Sequence, residues 1–477
     1  MRKTEFDLCV IGGGSGGLVA AAGAAALGAN VALVEKHRLG GDCLWTGCVP
    51  SKALLQTAKV AHLARTAQRY GLPGHSPRVD IGQVMDRVNS VIATIEVHDN
   101  PQRFRDMGIE VIFGAGRFSN PHVFEVDGRR LTAKNFVIAT GSRPAVPPIA
   151  GLADVPFLTN ETVFTLREPV PRLLVLGGGP IGVEMAQAFA RLGSEVTLIE
   201  RGPQLLPVED RDAAAVVERC LRAEGVKVLL DSEALHITGR AGDLQLTFKQ
   251  HTSATLTIGG SHLLLAAGRR ANSESLGLDA AGVRLDERGY IRTDPRLRTT
   301  AKHIYACGDV TGPYLFTHMA EHQAGVVLRN ALFHLPAKVE QRVIPWCTYS
   351  DPEVARVGLS ENQARRQGIT HQVYTFPFHD IDRAQTDGET DGFAKIITGP
   401  QGKLLGATLV GPHAGELIHE YVLALANGMK AKDLSGVIHI YPTLAQINRR
   451  VADQRLKAGL TPSAKKWLKR IFRLRGK

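Results

Sequence analysis

Short apolar runs and glycine clusters alternate along the first forty residues of the chain. The apolar run from Phe6 to Ile11 leads into a Gly-rich turn at 12–17, and an alanine-rich stretch then continues to about Leu27. A second short apolar run ends on Glu35. Short apolar runs bounded by turn residues predict buried strands, and the longer alanine-rich run predicts a helix. The order predicts a strand–turn–helix–strand unit of a parallel sheet.

The same pattern recurs farther along the chain. An apolar run at 172–176 precedes a glycine cluster at 177–182, a helical stretch continues to about Leu192, and a strand pattern at 195–199 ends on Glu200. One glycine pattern is weak evidence, but strand, turn, helix, strand and acid in this order twice predict two dinucleotide-binding units.

The glycine spacing has a physical reason. A dinucleotide turn needs glycine for the tight bend, for space beside the pyrophosphate, and for close helix packing. The helix N-terminus offers amide groups to the phosphates, and the acids Glu35 and Glu200 are placed to bind ribose hydroxyls. An acid at Glu200 favours NADH over NADPH, although Arg201 beside it could tolerate a phosphate. The glycines concerned are Gly12, Gly14, Gly17, Gly177, Gly179 and Gly182.

Length and composition narrow the protein class. A chain of 477 residues predicts more than one domain. Its six cysteines are too few and too unevenly spaced for a disulfide-stapled secreted protein. The start lacks the apolar run of a signal peptide, and the alanine-rich stretch is too short to span a membrane. We expect a protein of the reducing cytoplasm.

Basic residues concentrate in the segment 463–477. It carries seven of them and no acid, within a net charge of +11. On a helix its large apolar residues would share one face, the pattern of an anchor on the anionic inner face of a membrane. A solvated tail, or a helix docked on its own protein, is the alternative. No recognised motif supports nucleic-acid binding.

Cys43 and Cys48 lie just after the first dinucleotide unit. Two cysteines so near a predicted cofactor indicate a redox-active pair, the alternative being two unrelated buried thiols. The segment from Cys48 to Lys52 predicts the start of a helix, where the helix dipole favours thiolate over thiol. Cys9 and Cys220 are interpreted as packing residues. Cys307 and Cys347 lie in motif-bearing segments and could approach a cofactor or an interface, with packing the favoured interpretation.

These features together resemble the flavoprotein disulfide reductases, the family of dihydrolipoyl dehydrogenase, glutathione reductase and mercuric reductase. Further segments that resemble family motifs are 139–144, 267–272, 304–310 and 345–359. The resemblance implies an α/β fold with two Rossmann-like domains, for FAD and NAD(P)H, and an α+β C-terminal dimerisation domain. The implied domains are a split FAD domain (1–145 and 270–340), an NAD(P)H domain (146–269), a dimerisation domain (341–460) and a basic tail (461–477).

The resemblance also implies cofactors and residue roles. Electrons would pass from NADH, or NADPH, to non-covalent FAD and then to the Cys43–Cys48 disulfide of a homodimer. Cys48 would lie beside the flavin, Cys43 would meet the acceptor, and Lys52 would pair with Glu184 near the flavin. The remaining implied cofactor-binding residues are Thr140, Gly141, Gly268, Arg269 and Asp309. No metal ligands are predicted.

The C-terminal region departs from the family pattern. Dihydrolipoyl dehydrogenase and glutathione reductase supply a histidine–glutamate pair across the dimer, where this chain has Tyr441 and Gln446. Tyrosine titrates near pH 10 and is a poor base at neutral pH. His439 would share a face with Tyr441 in an extended segment and could replace the base, or be a packing histidine. His318 and Glu321 are further candidates near the centre.

Three functions follow. The first is an FAD-dependent NADH oxidoreductase acting on a metal ion, a thiol or disulfide, or a quinone-like acceptor. The second is a mercuric reductase or dihydrolipoyl dehydrogenase with Tyr441 in place of histidine. Mercuric reductases are similar in having tyrosine at this position. The sequence does not show their C-terminal vicinal cysteines, nor the N-terminal metal-binding domain that is common, though not universal, among them. The third is a membrane-recruited redox sensor.

Overall fold

The first and largest sheet is built around the strand Phe6–Ile11. The computed structural model describes residues 5–250 and 255–476. Parallel strands run in the order Glu110–Phe113, Val31–Glu35, Phe6–Ile11, Arg129–Ile138 and Ile304–Ala306. The central strand is almost completely buried, as a continuous apolar run predicts for a parallel sheet covered on both faces.

The long strand Arg129–Ile138 also begins an antiparallel extension. Its first half pairs with Val123–Val126, which pairs with Gly116–Asn120. The chain leaves the sheet after Ile138 and returns at Ile304–Ala306. A two-stranded ribbon of Ser142–Pro144 and Arg269–Ala271 joins the two ends of the intervening segment.

The intervening segment forms a second parallel sheet. Its strands run in the order Lys227–Leu229, Glu195–Ile199, Arg172–Leu176 and His262–Leu265. An antiparallel sheet of Ser232–Arg240, Asp243–Gln250 and Thr255–Gly260 lies beside it. The two predicted strand–turn–helix–strand units therefore start two separate parallel sheets, and the predicted α/β class is confirmed.

A third region consists of an antiparallel sheet with short helices. Its strands run in the order Pro345–Thr348, Glu353–Gly358, Leu404–Gly411, Phe393–Thr398 and Gln372–Pro377. The domain boundaries drawn from the sequence stay predictions.

Helices cover the sheets and connect their strands. The α-helices of the first region are Ser15–Ala26, Gly41–Trp45, Cys48–Arg65, Ile81–Glu96, Pro101–Asp106, Leu278–Ala281 and Thr317–Phe333. Those of the second are Pro180–Arg191 and Arg211–Ala223. Those that follow are Glu361–Arg366, Asp382–Asp387, Ala414–Leu417, His419–Ala426, Ala431–Ser435, Gln446–Gly459 and Pro462–Phe472. The 3-10 helices are Ala67–Tyr70, Val97–Asp99, Leu152–Asp154, Val163–Thr165, Asp309–Thr311, Phe378–Asp380 and Pro400–Gly402. None of the helices in the described ranges combines the length and apolar character needed to cross a membrane.

Buried ion pairs hold the second sheet against the third region. Lys395 is 1% exposed, and its ammonium lies 2.9 Å from Asp210 and 2.7 Å from Asp212. Arg356, equally buried, lies 2.9 Å from a carboxylate oxygen of Glu209. Buried charges are tolerated where each has a close partner, so these contacts fix the relative position of the two regions around the site.

Candidate functional site

One large cavity of about 1830 Å³ connects the predicted site residues. It is bordered by the carboxyl ends of the strands of both parallel sheets, where ligands of open α/β sheets bind. Of the predicted residues, the cavity lining includes Gly12, Gly14, Glu35, Cys43, Cys48, Lys52, Thr140, Gly141, Gly177, Gly179, Glu184, Glu200, Gly268, Arg269 and Asp309.

The two glycine turns are built in the same way. Gly12 has φ of +108° and Gly177 has φ of +110°, a conformation that residues with a side chain rarely adopt. Gly17 and Gly182 lie behind the turns, outside the cavity lining. A Cβ on either would lie 1.8 Å from the carbonyl oxygen of Gly12 or Gly177, respectively. The sequence therefore needs glycine there for helix packing, as predicted.

The middle motif glycine of each turn, Gly14 or Gly179, faces open space. A Cβ on Gly14 would come no closer than 3.7 Å to another atom, and one on Gly179 would have no neighbour within 4 Å. Each is the N-cap of its helix and makes no side-chain cap hydrogen bond. The free amides and the dipole of each helix N-terminus therefore face the cavity, which suits a phosphate group.

The acids at the two strand ends, Glu35 and Glu200, accept hydrogen bonds in the same pattern. Glu35 accepts hydrogen bonds from the backbone N–H of Gly13 (2.7 Å) and His37 (2.8 Å). Glu200 accepts them from Gly178 (2.6 Å) and Gly202 (2.7 Å). Each carboxylate is thereby fixed at the cavity wall, and its oxygens keep lone pairs that a ribose hydroxyl can use.

Asp309 lies just after the strand Ile304–Ala306, with which the chain returns to the first sheet. Its carboxylate accepts a hydrogen bond from the Ser142 hydroxyl at 2.6 Å and lies 3.8 Å from Arg269. Burial raises the pKa of Asp309. Thr140 joins the segment after Ile138 to the segment after Arg269–Ala271, since its hydroxyl donates to the carbonyl of Asn272 at 2.7 Å. A half-buried acceptor at this position fits a hydroxyl-bearing ligand.

Cys48 is the first residue of the helix Cys48–Arg65 and is exposed to the cavity, whereas Cys43, in the short helix before it, is half-buried. Both are thiols in this structure. The hydrogen bond from Cys43 is the main cause that lowers the pKa of Cys48, to about 6. The Thr317 hydroxyl, 3.6 Å from the sulfur, and the charge of Lys52 act in the same direction. The same hydrogen bond and burial raise the pKa of Cys43. The lower pKa of Cys48 makes it the sulfur of the pair that ionises first, and the cause is its neighbours Cys43, Thr317 and Lys52.

Asp42 anchors the cysteine segment from one side. Its carboxylate accepts hydrogen bonds from the Thr46 hydroxyl (2.6 Å) and the Asn160 amide (3.0 Å). The guanidinium of Arg269 lies 3.0 Å away. The cysteine segment is thus tied to Asn160, which precedes the second parallel sheet in the chain, and to Arg269, which follows it.

Lys52 and Glu184 form the predicted ion pair, at 2.9 Å. The other carboxylate oxygen of Glu184 accepts the backbone N–H of Tyr349 at 2.9 Å. The ammonium of Lys52 lies 4.4 Å from the centre of the Tyr349 ring, a cation–π distance. A tyrosine of the third region thus holds the lysine near Cys48.

These features fit two dinucleotides. Two uncapped helix N-termini suit two pyrophosphates, two fixed carboxylates suit two riboses, and Asp309 offers a further hydroxyl acceptor. The first turn lies beside the cysteine segment, since a Cβ on Gly14 would be nearest to Gly41. The residues therefore fit FAD at the first turn and NAD(P)H at the second.

Tyr441, His439 and Gln446 are not brought to this cavity within one chain, because none is among its lining residues. Tyr441 is 65% exposed, and its hydroxyl donates to Asp382 at 2.9 Å. That hydrogen bond raises the pKa of Tyr441 above its usual value. Gln446 begins the helix Gln446–Gly459, and its amide lies 3.5 Å from the carbonyl of Ile440.

The prediction that His439 and Tyr441 share a face is wrong. The segment is irregular rather than a strand, so alternation does not apply. The imidazole of His439 turns inward and lies 3.0 Å from the carboxylate of Glu420, which also accepts the Asn448 amide at 2.8 Å. His439 is held in a packed polar cluster, while Tyr441 faces outward.

Sequence reasoning did not identify Thr317, Tyr349, Asp42 or Ser142. Thr317 directly precedes the candidate His318, which also lines the cavity and whose imidazole lies 2.8 Å from the carbonyl of Pro345. Tyr349 lies in the segment that resembles the start of the dimerisation region. Proximity of these segments to the cysteines is a tertiary contact that no local pattern encodes.

Comparison with known proteins identifies the family. The family model for pyridine nucleotide-disulphide oxidoreductase matches residues 6–324. The model for the pyridine nucleotide-disulphide oxidoreductase dimerisation domain matches residues 344–451. Together the two models include the cavity, the cysteine pair and the antiparallel sheet.

Similar proteins carry different names. The chain is 38% identical to a dihydrolipoyl dehydrogenase of Thermus scotoductus, over 92% of this chain and 95% of that protein. It is 34% identical to a mercuric reductase of Bacillus cereus, over 93% of this chain and 70% of that protein. The Cu(II) complex of RclA from Escherichia coli, an HOCl-induced flavoprotein disulfide reductase, has a TM-score of 0.85 at 30% identity, covering 95% and 100% of the chains.

These matches extend over nearly the whole chain and agree with the geometry of the cavity. The family uses FAD and NAD(P)H, and the dimerisation domain supports a homodimer. The chain therefore belongs to the pyridine nucleotide-disulphide oxidoreductase family of FAD-dependent enzymes, the family that its sequence motifs resemble.

Proposed function

We propose that this protein is a homodimeric NADH oxidoreductase whose Cys43–Cys48 pair reduces a thiophilic metal ion, with Cu(II) and Hg(II) as the ions to test. The observation that carries the proposal is the cysteine pair itself, at a helix start and facing the cavity. Bound FAD supplies two-electron transfer between the nicotinamide and the sulfur pair.

The residues of the pair have separate tasks. Cys48, with its lowered pKa, stays ionised at neutral pH, where Lys52 and Thr317 stabilise the thiolate. Cys43 keeps its proton through the hydrogen bond to Cys48 and is the sulfur that meets the acceptor. Asp42 and its partners hold the segment so that both sulfurs stay at the cavity wall.

The reaction balances without an added oxidant or reductant. NADH converts the disulfide to the Cys48 thiolate and the Cys43 thiol, giving NAD⁺. The pair then returns to a disulfide, releasing one proton and two electrons. Two Cu(II) ions take one electron each, or one Hg(II) ion takes both.

Tyr441 favours a metal ion over a disulfide substrate. Reduction of a disulfide needs a group that accepts and returns a proton near neutral pH, and the pKa of Tyr441 is raised further from that range. A metal ion binds thiolate sulfur directly and needs no protonated leaving group. The mercuric reductase relative and the Cu(II) complex of RclA, by their names, are consistent with this acceptor class.

The NADH preference rests on Glu200. Its carboxylate is held at the cavity wall by two backbone amides, where a 2′-phosphate would meet a negative charge. We expect NADPH to reduce the flavin more slowly than NADH, as stopped-flow absorbance would show.

An anaerobic NADH titration followed by an acceptor screen tests the proposal. The acceptors are Cu(II), Hg(II), lipoamide, glutathione disulfide and benzoquinone, each with wild type, Cys43→Ser and Cys48→Ser. We expect metal-dependent NADH oxidation that both variants lose, while NADH still reduces their flavin. Cys220→Ser is the matched control, because Cys220 is also half-buried but lies outside the cavity lining.

Two outcomes would replace the proposal. Lipoamide turnover above that with either metal ion would establish a dihydrolipoyl dehydrogenase, the function named for the 38% identical relative. Flavin reduction by NADH without turnover of any acceptor would favour a redox sensor.

A further inference from the structure

The helix Pro462–Phe472 lies at the end of the described chain and has no buried residue. Its start is capped locally. The Thr461 hydroxyl accepts a hydrogen bond from the backbone N–H of Ala464 at 3.1 Å, and Pro462 occupies the first turn. An isolated helix of 11 residues is marginal in water. A surface that packs against it would therefore stabilise it.

Its side chains are sorted into two faces. Apolar residues recur at spacings of three and four, so they share one face; they are Ala464, Trp467, Leu468, Ile471 and Phe472. Trp467 is 63% exposed and Phe472 is 64% exposed. The opposite face is basic and consists of Lys465, Lys466, Lys469, Arg470 and Arg473.

We propose that this helix binds the surface of an anionic lipid bilayer, with its apolar face inserted at the headgroup level. Charge complementarity selects this occupant: segment 463–477 contains no acidic residue, so every ionisable side chain in it attracts anionic headgroups. Basic side chains beside a tryptophan and a phenylalanine are typical of helices that lie in the membrane interface.

Nucleic acid or a second copy of the chain, as the partner of this helix, would account for only one of its two faces. Binding to phosphates would use the basic face and leave the large apolar face in water. A second copy could cover the apolar face, but pairing two helices through that face would leave both basic faces without an anionic partner.

Vesicle co-sedimentation of the full-length, FAD-loaded protein tests the proposal. We expect binding to vesicles of phosphatidylcholine mixed with phosphatidylglycerol and little binding to phosphatidylcholine alone. The combined variant Trp467→Ser, Ile471→Ser and Phe472→Ser should abolish binding. Leu27→Ser is the control, since Leu27 is an exposed apolar residue of another helix end, at 56%.

A charge series gives a second, independent measurement. Removing Lys465 and Lys469 by substitution with Gln should weaken binding roughly fivefold per charge, and added salt should weaken it further. Lys302→Gln with Lys338→Gln removes the same charge elsewhere and should have little effect. NADH-dependent flavin reduction should be unchanged in every variant, which separates this proposal from the proposed function.

Several results would overturn the proposal. Equal binding to neutral vesicles, or binding that survives the serine variant, would contradict it. Conversion of the dimer to a monomer by the serine variant, seen by analytical ultracentrifugation, would show that a second copy covers this face. Duplex DNA binding that depends on Lys465 and Lys469 but not on Trp467 would assign the helix to nucleic acid.

Discussion

The sulfur of Cys48 receives a hydrogen bond from Cys43, has the Thr317 hydroxyl 3.6 Å away and feels the charge of Lys52. These contacts outweigh the cost of burying a thiolate, so its pKa falls to about 6. A group with a lowered pKa is ionised above that value and protonated below it. At pH 7 most of the Cys48 population is therefore thiolate without help from an imidazole.

The first prediction concerns this ionisation. In protein reduced by two electron equivalents, the long-wavelength absorption of a thiolate beside the flavin should disappear as pH falls through about 6. Cys43→Ala should shift the midpoint to higher pH by more than Lys52→Met does, because the Cys43 hydrogen bond is the larger cause. Anaerobic spectrophotometric titration measures both shifts, with Cys220→Ser as the unshifted control. A wild-type midpoint above pH 8 would contradict the assignment.

Tyr349 supports a second prediction at this scale. Its ring lies 4.4 Å from the Lys52 ammonium, and such a contact stabilises the cation by about 0.5–1 kcal/mol. Tyr349→Leu should let the ammonium move away, slow flavin reduction by NADH roughly two- to fivefold and make the flavin midpoint potential more negative. Tyr349→Phe keeps the ring and should resemble wild type, and both variants keep the backbone bond to Glu184. Equal flavin midpoint potentials in wild type, Tyr349→Leu and Tyr349→Phe would show that the Tyr349 ring does not stabilise the Lys52 ammonium.

At the scale of elements, two glycines inside helices meet opposite surroundings. Gly182, inside the helix Pro180–Arg191, touches the carbonyl of Gly177 so closely that a methyl group has no room. Gly325, inside the helix Thr317–Phe333, has a normal helical backbone, and a methyl group added to it would meet no heavy atom within 4 Å. The same chemical change should therefore have opposite effects.

We predict that Gly182→Ala weakens NADH binding about ten- to a hundredfold, because relieving the clash costs about 1–3 kcal/mol. FAD content should be unchanged, since the first turn is not altered. Gly325→Ala should keep NADH affinity and raise thermal stability slightly, because alanine favours a helix by up to about 1 kcal/mol over glycine. Fluorescence titration and thermal unfolding measure the two effects. Unchanged NADH affinity in Gly182→Ala would refute the packing argument.

Elements with local signals were predicted well, and contacts between distant elements were not. The buried strand Phe6–Ile11, the glycine turns and the helix beginning at Cys48 each follow from spacing and composition within a few residues. The Lys52–Glu184 pair came only through the family resemblance. The contact of Tyr349 with Lys52 joins segments about three hundred residues apart, and the inward turn of His439 depends on Glu420 and Asn448. Such contacts depend on tertiary packing, to which periodicity is blind.

At the scale of the whole molecule, one chain does not bring all predicted site residues together. Cys43 and Cys48 lie in the cavity, whereas Tyr441 faces outward from the region that matches the dimerisation model. Ile438 and Ile440 beside it are 92% and 77% exposed. Exposed apolar side chains of this size indicate a contact surface. In the family that the sequence resembles, the residue at this position acts across the dimer, and we propose that Tyr441 does the same.

Mixed dimers give the last prediction. One subunit carries Cys48→Ser and the other Tyr441→Phe, and two different affinity tags allow the heterodimer to be isolated. If Tyr441 acts across the interface, one site combines an intact cysteine pair with an intact tyrosine, and the other site has both defects. Because a twofold dimer has two equivalent sites, metal-ion reduction should reach about half the wild-type rate.

If Tyr441 acts within its own subunit, the expected rate of the heterodimer is different. If Tyr441 served its own subunit, every site in the heterodimer would carry one defect, and activity could not exceed half that of the Tyr441→Phe homodimer. Loss of the tyrosine hydroxyl removes one hydrogen bond and should slow that homodimer roughly tenfold. The two arrangements therefore differ about tenfold in the heterodimer rate. A Tyr441→Phe homodimer as fast as wild type would instead show that the tyrosine hydroxyl has no part in the reaction.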